Sequence, residues 1–177
     1  AKAGFFNKSL LKKEFLSDGG ILGGHPDKNS VPGIEMSSGS LGHGLSIGAG
    51  IALSLKNDRN NNKVFVLLGD GELNEGMIWE ATMFSSHNNL DNLIAIVDYN
   101  KLQGFGTTDK ILNLEPLNEK FQSFGWSTIS INGHDMEEII KTLSFLPFKL
   151  KKPSAIIANT IKGKGVKSME NNLHSHY

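Results

Sequence analysis

The 177 residues are enough for about one domain. Lys+Arg and Asp+Glu both number 18, so the formal net charge is zero, which excludes the basic field of a nucleic-acid binder and the acidic tail of a solvating segment. There are no cysteines, hence no disulfide framework and no thiolate metal site, as expected of a cytoplasmic protein; no apolar run approaches the roughly 20 residues of a membrane span, and no secretory leader is recognisable, although the sequence starts at Ala1 rather than Met.

In chain order, residues 8–16 read as a short helix. Gly19, Gly20, Gly23, Gly24, Pro26, Pro32 and Gly33 then interrupt regular structure, and so long a Gly-rich loop inside a domain points to function. Residues 41–55 read as a helix whose Gly and Ala allow close approach of a neighbouring backbone, and Asn60, Asn61 and Asn62 as a surface turn. Four short β-branched runs follow, at 64–68, 93–97, 127–131 and 155–158. All but the mixed third are nearly continuously apolar, as strands buried on both faces of a parallel sheet are. Between them, Met77, Ile78, Ala81 and Phe84 share one helical face, and Met136, Ile139, Ile140, Leu143 and Leu146 share another, with Asp135 and Glu138 forming a capping box. The alternation predicts an α/β fold, a doubly wound and mostly parallel sheet with helices on both faces. A single domain over 1–177 is expected, truncated at one or both ends.

Two strand ends carry polar motifs. Gly69-Asp70-Gly71-Glu72-Leu73-Asn74-Glu75-Gly76 leaves the first strand and opens a helix; Asp98-Tyr99-Asn100-Lys101-Leu102-Gln103 leaves the second. The carboxyl ends of parallel strands share one edge, where ligands bind, so Asp70 and Asn100 should aim their side-chain oxygens at one point. One carboxylate among neutral oxygens suits Mg²⁺ shared with phosphate oxygens. Gly69 and Gly71 would let backbone amides approach a diphosphate, and the helix N-terminus would add its dipole. Read singly, Asp70-Gly71 is an ordinary turn and Asn100 a loop cap; their pairing at two strand exits is what shifts the reading.

Gly69-Asp70-Gly71, with Asn100 thirty residues after the aspartate, resembles the signature of thiamine-diphosphate enzymes. Glu72-Leu73-Asn74-Glu75-Gly76 with Trp79-Glu80-Ala81 narrows the resemblance to transketolases. So do Gly24-His25-Pro26-Asp27, Pro32-Gly33-Ile34-Glu35, Ser38-Gly39-Ser40-Leu41-Gly42, Asn132-Gly133-His134-Asp135 and Lys162-Gly163-Lys164-Gly165-Val166. The likeness spans nearly the whole chain and is closest to the split form, whose N-terminal half is a separate subunit; Met169-Glu170-Asn171-Asn172 strengthens it.

The resemblance implies roles residue by residue. Asp70, Asn100 and the carbonyl of Leu102 would hold Mg²⁺, or Ca²⁺ or Mn²⁺ in its place. Gly71 would contact the diphosphate of thiamine diphosphate, the backbones of Gly39 and Leu41 would meet its aminopyrimidine, and Gly69 and Glu72 would also belong to the cofactor-binding set. His25 would lie beside the reactive ring and the donor sugar. His176 matches a family histidine that contacts diphosphate and reacting oxygens, with His174 competing for that match. Glu75 would act at a dimer interface. The implied activity is transfer of a two-carbon ketol unit from a ketose, or ketose phosphate, to an aldose. It would require a C-terminal partner module that carries an activating glutamate, in a homodimer or heterotetramer, and the isolated domain would be inactive. The rival readings are another thiamine enzyme, a synthase or decarboxylase acting on a modified sugar, and a non-catalytic subunit of the same fold.

Some features depart from the family pattern. His43 stands where the family usually has Gln, and its imidazole could still hydrogen-bond. The arginine often found before the Gly-His-Pro motif is absent, and so is an upstream Gly-His motif. Other residues read as structural: His134 before a helix cap, His87 at a helix C-terminus, and Trp79 and Trp126 in packing. Lys162-Gly163-Lys164-Gly165 lacks the spacing of a P-loop and reads as a basic loop.

Overall fold

The computed structural model describes residues 1–176. They group into two compact units, Ala1–Leu41 and Gly42–Tyr177. The first is sparse in regular structure. Its helix α1, Lys8–Glu14, is capped by the Asn7 side chain, which accepts from the Ser9 amide. An isolated bridge joins Phe15 to Leu22, and Leu22 and Val31 are its buried apolar side chains. The glycines and prolines predicted to break structure here do so.

The second unit is a parallel sheet. After α2 (His43–Asn57) come β1 (Val64–Gly69), a 3₁₀ turn at Gly71–Asn74, α3 (Gly76–His87) and β2 (Leu93–Tyr99). A small antiparallel hairpin, β3 (Leu102–Gln103) and β4 (Gly106–Thr107), follows β2 directly, then α4 (Thr108–Ile111), α5 (Leu117–Ser123), β5 (Ser127–Asn132), α6 (Met136–Ser144) and β6 (Ser154–Asn159). The strand order is β1-β2-β6-β5, all neighbours parallel, with Gly69 opposite Asp98 and Tyr99 opposite Asn159. The four predicted strands are all present, each one or two residues longer than its apolar run. The predicted helix at 41–55 starts at His43 instead, because Gly42 in the left-handed region (φ 88°) serves as its N-cap.

The direction of travel across the sheet reverses after β5, so the helices lie on both faces. One face carries the larger core, with Leu45, Ala49, Leu73, Ile78, Leu117, Phe121 and Trp126 packed on Leu68, Leu93, Ala95 and Val97. Gly48 shows why α2 is rich in small residues: a Cβ there would lie 2.4 Å from Val66 Cγ2. Trp126 and Trp79 are packing residues, donating to the carbonyls of Thr82 and Leu73. The other face has a smaller core of Ile94, Ile131, Leu146, Ile156 and Ala158 under α6. There the expected apolar stripe of α6 divides: Ile139 packs inward, while Met136 and Ile140 are 63% and 64% exposed. Phe65 and Leu67 of β1 are also exposed. The capping box of α6 is modified. Asp135 accepts from the amides of Glu137 and Glu138, but Glu138 reaches back to the amide of Asn132 rather than to that of the cap.

Candidate functional site

β1 and β2 are paired neighbours, so their exits lie side by side. Asp70 is the first residue after β1 and Asn100 the first after β2. Asp70 is 2% exposed. Its Oδ1 accepts from the Gly71 amide at 2.7 Å, and its Oδ2 from the Lys101 amide at 2.5 Å. The aspartate of one exit thus touches the residue next to the asparagine of the other. Lys101 makes this possible by adopting a left-handed conformation (φ 66°). Asn100 Oδ1 accepts from the Leu102 amide at 3.0 Å, which tightens the turn into β3.

Burial pushes the Asp70 carboxyl above its usual range. The two backbone bonds and the charge of Lys162 pull the other way, and Asp98 adds to the rise. Among the described residues no ion pair involves Asp70, and no cluster of three or more His, Cys, Asp or Glu is placed to hold a metal. The strand exits therefore offer one carboxylate and neutral oxygens, a set suited to a hard divalent cation that takes its remaining ligands from phosphate or water. A cation there would offset the unfavourable burial of the Asp70 charge.

Backbone and polar groups beside Asp70 complete the local site. A Cβ on Gly71 would lie 3.2–3.4 Å from the Gln103 side chain, whose Nε2 is buried without a hydrogen-bond partner. A buried donor with no acceptor is unfavourable unless a ligand supplies one. Gln103 closes the Asn100 motif but was given no role from the sequence; only its place at the end of that motif pointed to it. A cavity of about 420 Å³ opens at the same edge, lined by Tyr99, Asn100, Lys101, Leu102, Asn159 and Thr160 among others. Tyr99 donates to Glu115 at 2.7 Å; burial and then Glu115 raise its pKa, so it stays a neutral donor. On β2, Asp98 accepts from the Thr160 hydroxyl. The helix expected directly after Gly71 is a 3₁₀ turn, and α3 begins only at Gly76 with Glu75 as its exposed N-cap.

Glu72 lies within that 3₁₀ turn, and both its carboxylate oxygens are engaged. Oε1 accepts from the Gly42 amide at 2.9 Å and Oε2 from the Gly69 amide at 3.2 Å. In the first unit, the exposed His25 lies against Gly39. Gly39 is left-handed (φ 112°), and a Cβ there would come within 2.9 Å of His25 Cγ. Leu41 is exposed.

Near the far end of the described chain, His176 Nδ1 lies 2.8 Å from Lys162 Nζ. Partial burial and then the Lys162 charge hold its pKa below that of an ordinary histidine. Because Lys162 also acts on Asp70, one ammonium influences both groups. His174 contributes its backbone amide to Asn172 within the 3₁₀ turn Leu173–Ser175. His134 is structural as expected, its Nε2 accepting from the Ile161 amide.

Adjoining strand exits of a parallel sheet, one carrying an aspartate and the other an asparagine, lie at the edge where such a fold binds its ligand. Residues 10–177 match the family model described as the thiamine diphosphate binding domain of transketolase, and the chain belongs to that family. It is 46% identical over 159 residues to one of the subunits of the apulose-4-phosphate transketolase of Phocaeicola vulgatus, covering 90% of this chain and 56% of that one. It is 46% identical over 176 residues to the 6-deoxy-6-sulfo-D-fructose transketolase subunit SqwG of a Clostridium species, covering 99% and 64%. The chain thus spans about three-fifths of the length of these two relatives. Among solved structures, the transketolase of Campylobacter jejuni superposes with a TM-score of 0.86 at 34% identity, over 93% of this chain and 27% of that one. Among the described residues, no helix is long and apolar enough to cross a membrane.

Proposed function

We propose that this chain is the diphosphate-binding part of a cytoplasmic transketolase-type enzyme. It would transfer a two-carbon ketol unit from a ketose, phosphorylated or otherwise modified, to an aldose. The supporting observation is the buried Asp70 carboxylate bound to the Lys101 amide, beside Asn100. Asp70, Asn100 and the Leu102 carbonyl hold the divalent cation, Mg²⁺ by preference. The Gln103 side chain donates to the diphosphate, which gives its unpartnered Nε2 an acceptor, and Gly71, lacking a Cβ, lets the diphosphate approach. The backbones of Gly39 and Leu41 meet the aminopyrimidine. Thiamine diphosphate, when bound, supplies the sink for the electron pair released at the substrate's carbonyl carbon.

His25 and His176 hold and move protons at the substrate's oxygens. A pKa held below the usual range keeps His176 available as a base at neutral pH. Two relatives are named as subunits of transketolases, which supports a partner module. That module supplies the glutamate for the pyrimidine side, with Glu75 facing it across the interface of a homodimer or heterotetramer. Without it the domain turns over nothing.

The test combines the chain, in its native polypeptide, with its partner subunit, Mg²⁺ and thiamine diphosphate, and follows ketol transfer from a panel of ketoses, ketose phosphates and sulfonated ketoses. Transfer that requires both subunits is expected. Turnover of 2-oxo acids alone, or of nothing despite assembly, would reject the proposal.

A further inference from the structure

Gly42 is the N-cap of α2 and has no side chain with which to cap it. In a capping box, the residue at the third helical position is a Glu or Gln that accepts from the amide of the N-cap. In α2 that position is Leu45, which is fully buried in the core. Glu72 takes over the task from a different element, thirty residues later, through Oε1. Its Oε2 holds the amide of Gly69, the last residue of β1. One carboxylate thus ties together the start of α2, the exit of β1 and the 3₁₀ turn on which it sits.

The close approach this requires is built into the backbone. Gly42 is left-handed, and a Cβ on it would lie 2.8 Å from Glu75 Cβ and 2.9 Å from Met77 Cγ. A negative charge at the start of a fifteen-residue helix is also favoured by the helix dipole. A direct role toward a diphosphate is disfavoured, because both are anions and both Glu72 oxygens already accept.

We infer that Glu72 is a positioning residue, a clamp between the α2 N-terminus and the β1 exit that sets the backbone shape of Gly69-Asp70-Gly71. It replaces the expectation that Glu72 contacts the cofactor. Its consequence for cofactor affinity rests on the function proposed above; the clamp itself does not.

The test uses the full polypeptide assembled with its partner and compares Glu72→Ala and Glu72→Gln with the unaltered protein. In Glu72→Ala, hydrogen exchange at the Gly42 and Gly69 amides should quicken by about tenfold or more, as charge-assisted bonds are lost, while β2 and β6 keep their protection. Affinity for Mg²⁺-thiamine diphosphate, measured by calorimetry, should fall about 10–100-fold, as for a group that supports a ligand without touching the cofactor. Glu72→Gln keeps one acceptor oxygen and should fall between. Unchanged exchange at both glycines in both variants would overturn the clamp. So would an affinity loss as large in Glu72→Gln as in Glu72→Ala with exchange unaltered, since that pattern marks direct contact. If the unaltered protein took up no cofactor, the proposed function would fail, and the exchange result alone would decide the clamp.

Discussion

Two aspartates sit at opposite ends of the parallel sheet in nearly the same backbone setting. Asp70 follows β1 at the carboxyl edge and accepts from the amide of Lys101; Asp91 precedes β2 at the amino edge and accepts from the amide of Lys151 at 2.8 Å. Both lysines are left-handed, with φ of 66° and 64°. Yet the two carboxyls shift in opposite directions. Burial raises Asp70 and prevails. Burial also works against Asp91, but the Lys56 ammonium at 2.9 Å and the Lys151 amide outweigh it and hold Asp91 below its usual range. The difference is a cation. Asp91 has one from its own chain and is a finished structural joint, whereas Asp70 has only backbone donors and longer-range help from Lys162.

If that contrast is functional, the two aspartates should separate most sharply in ligand binding. Asp70→Ala in the assembled protein should weaken Mg²⁺-thiamine diphosphate binding by on the order of 100-fold or more, since a directly coordinating carboxylate matters more than its supporting groups. Asp91→Ala should leave that affinity unchanged. Calorimetry on both variants reads the comparison directly, and equal losses would erase the distinction.

The adjacency of Asp70 and Asn100 was legible because parallel pairing in register brings neighbouring strand exits together, and continuous apolar runs announce parallel strands. The strand ends were less legible: β2 runs on through Asp98 and Tyr99, where polar atoms find partners in Thr160 and Glu115. Periodicity gave the apolar face of α6 but not its surroundings: Met136 and Ile140 share that face and lie exposed. The resemblance put Glu72 among the cofactor-binding residues, two positions after Asp70. Its bond to Gly42 spans thirty residues, and no local pattern encodes it. The seat of His25 on Gly39 was equally hidden, because a positive φ at glycine leaves no trace in the sequence.

A middle-sized effect should come from making Asp91 resemble Asp70. Lys56→Met removes the ammonium and keeps much of the apolar stem. Both groups are partly exposed, so the expected loss is about 1 kcal/mol or less at neutral pH. The sign with pH follows from the lowered folded-state pKa of Asp91. Its contribution is fully present above the unfolded carboxyl value, about 4, and disappears as pH falls through the folded value. The variant and the parent should therefore differ in urea midpoint at pH 7 and converge in acid, as pH falls through the folded value. A gap that persists in acid would mean that Lys56 acts by packing alone or through its bond to the Asn89 carbonyl.

The smallest effect isolates the two lysine turns. A non-glycine residue in the left-handed region is strained by about 1 kcal/mol, and glycine relieves that strain while adding disorder to the unfolded chain. Lys151→Gly should therefore change stability by no more than about 0.5 kcal/mol, because the exposed Lys151 side chain gives up little. Lys101→Gly carries the same backbone terms but also loses the ammonium lying 5.4 Å from the centre of the Tyr99 ring, a contact worth about 0.5–1 kcal/mol at an exposed site. It should unfold at lower urea than Lys151→Gly by about that amount. Identical midpoints would mean that the Lys101 side chain does nothing for the turn and that only its backbone amide serves Asp70. The two aspartates would then differ solely in the cation each can reach.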